Sequence, residues 1–347
     1  MQTNPTLDMK PTTIRQPGTL DTAHDARRRR LLLAFAALPL ASLPFVPRTA
    51  RAAQQAVIEG RDRWLFPGWE SFVEDETPAC LRIVDLIGKV ADKMAARGIH
   101  CTTVIAPLKA RASADKLADG QAVSDAVMKR YAALFAHAAE IKLDMVDGEA
   151  ALKAVDTSAD NTYIRADYHW SAHTSEAFAD ATAERLRASK VLDGAHGDGT
   201  PLGDWTEEVN YGDLANLLPP ERKRAIGKDR FIVRQEQAEG GLLAGAASIV
   251  HVVGNSMVQP YLGFPQKLSN VLELPVGLTW TFGDTGPWKT LVDYLESADF
   301  KQNTPKAIVW QFNEGQMMFG PGATGQWDPK SIQPDGDWLA RVEKALA

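Results

Sequence analysis

The chain of 347 residues holds only two cysteines, Cys80 and Cys101. Neither belongs to a Cys-x-x-Cys step or a Cys/His cluster, which excludes a thiolate zinc site. Glycine loops in the strand-to-helix setting of a phosphate or dinucleotide site are also missing, so no cofactor is expected. Cations are in deficit, with 38 Lys and Arg against 44 Asp and Glu. The first 52 residues hold eight of those cations and three Asp, which leaves residues 53–347 at a net −11. A nucleic-acid partner calls for a basic face, and this balance argues against one. An acidic polysaccharide would have to meet a local basic groove. Long apolar runs are lacking as well. The longest, Leu31 to Val46, spans 16 residues and contains two prolines, whereas a helix needs about 20 to cross a bilayer.

That short run has a different use. Arg27-Arg28-Arg29-Arg30 precedes it and Ala50-Arg51-Ala52 follows it as an A-x-A step, the layout of a bacterial export signal over residues 1–52. The paired arginines before Leu31-Leu32-Leu33 suggest the twin-arginine route, with Sec export and an uncleaved signal anchor as alternatives. In each case the remainder, residues 53–347, faces the periplasm. Oxidising surroundings would favour a disulfide. Pro78 to Arg97 reads as one helix, however, and it would hold Cys80 and Cys101 roughly 25–30 Å apart. A bridge requires about 7 Å or less between Cα atoms, so two buried thiols are expected.

What is present is an ordinary globular composition, 45% hydrophobic and 24% charged, on a length suited to one large domain. Thr77-Pro78 reads as an N-cap with proline at the first helical position, followed by Ile83, Ile87, Val90 and Met94 on one face and Gly98 past the end. Apolar runs at 102–106, 143–146, 248–253, 278–282 and 306–311 alternate with helical patterns beginning at Ser124-Asp125, Ser171 and Pro287. This alternation predicts a three-layer α/β/α fold with a central, mostly parallel sheet. Residues 192–247, rich in Gly, Asp and Glu, read as an insertion bordering the site.

Arg165-Ala166-Asp167-Tyr168-His169-Trp170-Ser171 supplies an acid and a base two residues apart, and Gly254-Asn255-Ser256 supplies a hydroxyl on a turn after a β-branched strand. Serine is a poor nucleophile until an imidazole takes its proton and a carboxylate fixes the imidazole tautomer. Asp167 and His169 can meet locally. Ser256 must be brought in by the fold, to the carboxyl end of a strand where open α/β sheets hold their ligands. The N–H groups of Ser256 and Met257 are candidate oxyanion donors. His169 before a helix N-terminus is expected to be favoured as the neutral base. His169, His173 and Asp167 could instead hold a metal, although no His-Glu-x-x-His motif is present. Trp170 is a candidate to orient the imidazole or to contact substrate, and Lys109 and Arg111 read as solvated charges at a strand end, candidates to contact an anionic sugar.

These segments resemble the SGNH-hydrolase-like proteins of bacterial exopolysaccharide O-acetylation, the alginate O-acetyltransferase AlgX/AlgJ family. Asp167-x-His169-Trp170 and Gly254-x-Ser256 carry the resemblance. Gly60-Arg61-Asp62-Arg63-Trp64-Leu65-Phe66 is similar to the family's Gly-x-x-Gly-Trp-Leu-Phe, with Arg63 in place of the second glycine. Ala106 to Arg111, Gly212 to Pro219, Ile308 to Phe312 and the Gly283-Asp284-Thr285-Gly286 loop match further segments. Asn255 and Met257 depart from the family's usual residues around the serine. Tyr261 falls near an aromatic that relatives use in the site. The resemblance implies acetyl transfer to an exopolysaccharide hydroxyl through Ser256, His169 and Asp167. It also implies an acetyl donor supplied by a membrane-bound O-acyltransferase, and other secretion components as partners. An esterase would use the same three residues, and a binding subunit with decayed catalytic geometry is a third reading.

Overall fold

A computed structural model of the chain describes residues 56–158, 160–235 and 247–347. The expected export signal lies outside the described residues, as do residues 236–246 of the expected insertion. No helix among the described residues is long and apolar enough to cross a membrane.

In chain order the strands are β1 (Val57–Glu59), β2 (Leu65–Pro67), β3 (His100–Ala106), β4 (Asp144–Met145), β5 (Trp205–Asn210), β6 (Asp229–Arg234), β7 (Val250–Asn255), β8 (Val276–Thr281) and β9 (Ala307–Asn313). The helices are α1 (Thr77–Ala95), α2 (Lys109–Ala112), α3 (Asp125–Glu140), α4 (Gly148–Ala154), α5 (Ala172–Ala188), α6 (Asp213–Asn216), α7 (Pro220–Ile226), α8 (Phe264–Leu272), α9 (Gly286–Leu295), α10 (Ala298–Gln302) and α11 (Asp335–Leu346). A five-stranded sheet in the order β4-β3-β9-β7-β8 forms the centre, and each neighbouring pair in it is parallel.

Alternation along the strands builds two cores. On one face Cys101, Ile105, Ile308, Trp310 and Phe312 pack with residues of α1, α3, α9 and α11. On the other, Val104, Ala106, Val250, Val252 and Val309 pack with residues of α4, α5 and α8. Helices on both faces leave no side of the sheet to water, which is why its strands read as continuous apolar runs. The helix starts follow their local chemistry: Ser124 caps α3 by accepting from the Val127 N–H, and Ser171 caps α5 by accepting from Thr174. Thr77 proves to be the first residue of α1 rather than its cap. Cys80 and Cys101 are buried free thiols, both pushed up to about 12 by burial.

The 192–247 region is more structured than an extended insertion. Its β5 and β6 pair antiparallel from Trp205–Arg234 to Asn210–Asp229, and α6 and α7 lie between them. The carboxyl ends of β3, β9 and β7 share one edge of the sheet, followed by Pro107–Lys109, Glu314 and Ser256 in turn.

Candidate active site

Ser256 opens a 3-10 turn directly after β7. Gly254 permits the close packing beneath it, because a Cβ there would come within 2.7 Å of Val258 and 2.8 Å of the Gln311 side chain. Gln311 Oε1 in turn accepts the Asn255 N–H at 3.0 Å. The Asn255 carboxamide accepts from the Met257 N–H at 2.9 Å. That bond occupies one of the two expected oxyanion donors. The Ser256 N–H begins the turn and so has no acceptor within it.

The segment opposite is a tight loop held from several directions. Lys109 Nζ donates to the carbonyls of Ile164, Arg165 and Asp167 at 2.7–2.8 Å. Asp229 accepts from the Ala166 N–H at 2.7 Å, and the Ala166 carbonyl accepts from Ala215 in α6. Asp167 then points both carboxylate oxygens at donors. Its Oδ2 accepts from the Asp213 N–H at 2.7 Å, while Oδ1 accepts from the His169 N–H at 2.9 Å and from Nδ1 of the ring at 2.7 Å. With Nδ1 as donor, Nε2 is left to accept from the Ser256 hydroxyl, at 2.8 Å. Trp170 Nε1 donates to the Met257 carbonyl at 2.9 Å, a second tie between the two segments.

The charges follow from burial and pairing. Burial works against a charged imidazole, but attraction and hydrogen bonding from Asp167 outweigh it and raise the His169 pKa. Burial likewise opposes ionisation of Asp167, and its bonds to His169 and to the Asp213 N–H hold its carboxyl well down. The helix N-terminus was expected to favour the neutral imidazole. The adjacent carboxylate proves the stronger influence.

The family profile described as SGNH hydrolase-like domain, acetyltransferase AlgX, matches residues 57–314. The chain belongs to this family. Among curated relatives it is 25% identical over 306 residues to the probable alginate O-acetylase AlgJ of Pseudomonas fluorescens, covering 83% of this chain and 73% of that protein. It is 25% identical over 315 residues to the protein of the same description in Pseudomonas aeruginosa, covering 83% and 75%. Among solved structures, the O-acetyltransferase domain of Pseudomonas putida AlgJ has a TM-score of 0.68 at 24% identity, over 84% of this chain and all of that one. Pseudomonas aeruginosa AlgX has a TM-score of 0.54 at 19% identity, over 74% and 62%. Both structural matches share the fold.

Seen as a member of the AlgX acetyltransferase family, the chain places its other candidate residues unevenly. Trp170 is fully buried and packs on Phe178 and Phe264; it braces the site from within the core and has no face for a substrate. Lys109 and Arg111 are not solvated charges. Lys109 is 1% exposed with its three donors committed to the loop, and burial depresses its pKa to about 7. Arg111 is locked between Glu314 and Glu149. Neither is left to contact a sugar. Tyr261 is exposed, with its hydroxyl donating to Glu208 at 2.6 Å.

His173 packs against Trp205 with the ring planes tilted by 58° and centroids 4.5 Å apart, and is no part of the Asp167–His169 pair. The carboxylates grouped with His169 are Asp167 and Asp213, the latter with Oδ2 3.7 Å from His169 Nδ1. That nitrogen already donates to Asp167.

Sequence reasoning passed over a second layer. The Tyr168 hydroxyl accepts from Asn313 at 2.9 Å and donates to Glu70 at 3.2 Å. Glu70 is buried, which raises its pKa to about 8. Trp69 lies against the Tyr168 ring, centroids 5.6 Å apart. Trp69-Glu70 has no motif, and only its contact with the residue before His169 marks it.

Proposed function

We propose that the protein is a periplasmic O-acetyltransferase that acetylates hydroxyls of a secreted polysaccharide through Ser256, His169 and Asp167. The observation that carries this reading is the unbroken chain Asp167–His169–Ser256, with bonds of 2.7 and 2.8 Å, at the carboxyl end of a central strand in a member of an acetyltransferase family. Relatives named alginate O-acetylases support the acyl-transfer class. A subunit whose catalytic geometry had decayed would not be expected to keep these distances.

In the proposed reaction His169 Nε2 takes the hydroxyl proton as Ser256 Oγ attacks the acetyl carbonyl carbon of the donor. The tetrahedral oxyanion is held by the Ser256 N–H. The bond to the donor's leaving group breaks and that group departs with the proton from Nε2, leaving acetyl-Ser256. A sugar hydroxyl then gives its proton to Nε2 and its oxygen attacks the acetyl carbon. Collapse returns the proton to Ser256 Oγ and releases the acetylated sugar. Asp167 holds the tautomer and offsets the positive charge on the ring in both halves. A membrane-bound O-acyltransferase would supply the acetyl donor.

Intact-mass measurement of the protein and of Ser256→Ala after exposure to an activated acetyl ester tests the reading. An adduct of one acetyl group that requires Ser256, and that passes to an added oligosaccharide faster than to water, is the expected result. Release to water alone would make the protein an esterase, and no adduct would remove the triad reading.

A further inference from the structure

Three consecutive residues of the base loop are tied to three consecutive residues of the nucleophile turn. His169 bonds Ser256 at 2.8 Å, and Trp170 bonds the Met257 carbonyl at 2.9 Å. Tyr168 reaches Asn255 indirectly, through two side chains of β9. Its hydroxyl accepts from Asn313 Nδ2 at 2.9 Å, Asn313 Oδ1 accepts from Gln311 Nε2 at 2.9 Å, and Gln311 Oε1 accepts from the Asn255 N–H at 3.0 Å. The path continues at both ends. Asn255 Oδ1 accepts from the Met257 N–H at 2.9 Å, and the Tyr168 hydroxyl donates to Glu70 at 3.2 Å.

Every bond between Asn255 and Glu70 is donated towards Glu70. Turning either carboxamide over would set donor against donor, so the path fixes one orientation for both. Asn255, Gln311 and Asn313 are buried, and bonds in series within a low-dielectric interior polarise one another. Gln311 and Asn313 stand two apart on a central strand, on the face that carries Val309, where apolar side chains would pack without needing partners. Two carboxamides there cost free energy unless they are bonded, and the bonds they make lead from the base loop to the nucleophile turn. Tyr168 and Trp170 thus hold the turn on both sides of the His169–Ser256 bond.

Resting on the transferase reading of Ser256, we propose that Tyr168 is a positioning residue that acts through Asn313 and Gln311 on Asn255, holding the Ser256 hydroxyl and N–H in register with His169. The rate at which Ser256 displaces fluoride from an alkyl fluorophosphonate, resolved into a limiting rate and a half-saturating concentration, tests it. Tyr168→Phe keeps the ring and should lower the limiting rate by about tenfold with the half-saturating concentration unchanged. Gln311→Met, close in shape, should lose at least as much, and the double variant should be no slower than Gln311→Met alone, because both break one path. Amide hydrogen exchange needs no reactive serine. In Tyr168→Phe the Asn255 and Met257 N–H groups should exchange at least about tenfold faster, while those of Cys101 and Thr102 in β3 keep their rates. An unchanged limiting rate overturns the proposal, as do losses that multiply in the double variant, or exchange that rises equally in β3. A fluorophosphonate that leaves Ser256 of the unaltered protein untouched would instead defeat the transferase reading, and exchange at Asn255 and Met257 would then decide the positioning role by itself.

Discussion

In the proposed reaction His169 must be neutral to take a proton from Ser256, and its surroundings pull in opposite directions. Burial resists a charge on the ring, Asp167 invites one, and the balance raises the pKa above its ordinary value of 6.5. A raised pKa makes the imidazole a stronger base but lowers the fraction available in mildly acid solution. The rate of Ser256 acetylation should therefore climb with pH through a single ionisation whose midpoint lies above 6.5. Asp167→Asn removes the attraction and leaves burial dominant, so the midpoint should move to lower pH while the rate falls by about 10³–10⁴ as the tautomer is lost. Stopped-flow acetylation across the pH range reads both quantities. A midpoint that stays in place in Asp167→Asn would mean that another group governs the profile.

A short helix sets the position of that carboxylate. Gly212 precedes α6, and its φ of −68° is open to any residue, so its importance lies in space. An added Cβ would fall 2.2 Å from the Ala166 carbonyl oxygen and 2.8 Å from the Asp167 nitrogen, backbone atoms that cannot rotate away. Gly212→Ala should push α6 off the loop, lengthen the Asp213 N–H bond to Asp167 and lower the acetylation rate by about tenfold or more. Thermal stability should fall by about 1–3 kcal/mol. A variant with unchanged rate and melting temperature would show that α6 does not hold Asp167. The Asp-x-His step was legible because two residues of one segment make its contact, and the helices were legible through caps at Ser124 and Ser171. The role of Gly212 was not, since a close approach between segments 46 residues apart leaves no local pattern. The same holds for Lys109, which a strand end suggested was solvated and which three carbonyls of a distant loop enclose.

Across the whole molecule, the parallel sheet could be read from apolar runs alternating with helices. What binds its carboxyl edge together could not. Glu314 follows β9 with its side chain wholly buried. It accepts from the Leu108 N–H at 2.9 Å, from Arg111 Nη2 at 2.8 Å and from Arg130 Nε at 3.1 Å. One carboxylate thus joins the ends of β3 and β9 to α2 and α3, with Glu76 and Glu149 completing the arginine pairings. In sequence the paired charges stand up to 203 positions apart, each of which reads alone as a solvated residue. The asymmetry of buried pairs makes the network testable. Making such a pair adds little stability, but removing one partner leaves the other's charge uncompensated, at about 3–5 kcal/mol. Glu314→Ala strips Arg111 and Arg130 of a shared partner and should lower the melting temperature by about 5–10 °C. Glu314→Gln keeps an acceptor oxygen and the side-chain volume and should lose less. Calorimetric melts of both variants decide the point, because equal losses would assign the effect to the charge that both remove, whereas a larger loss in Glu314→Ala would assign the excess to the acceptor oxygen and volume that glutamine keeps.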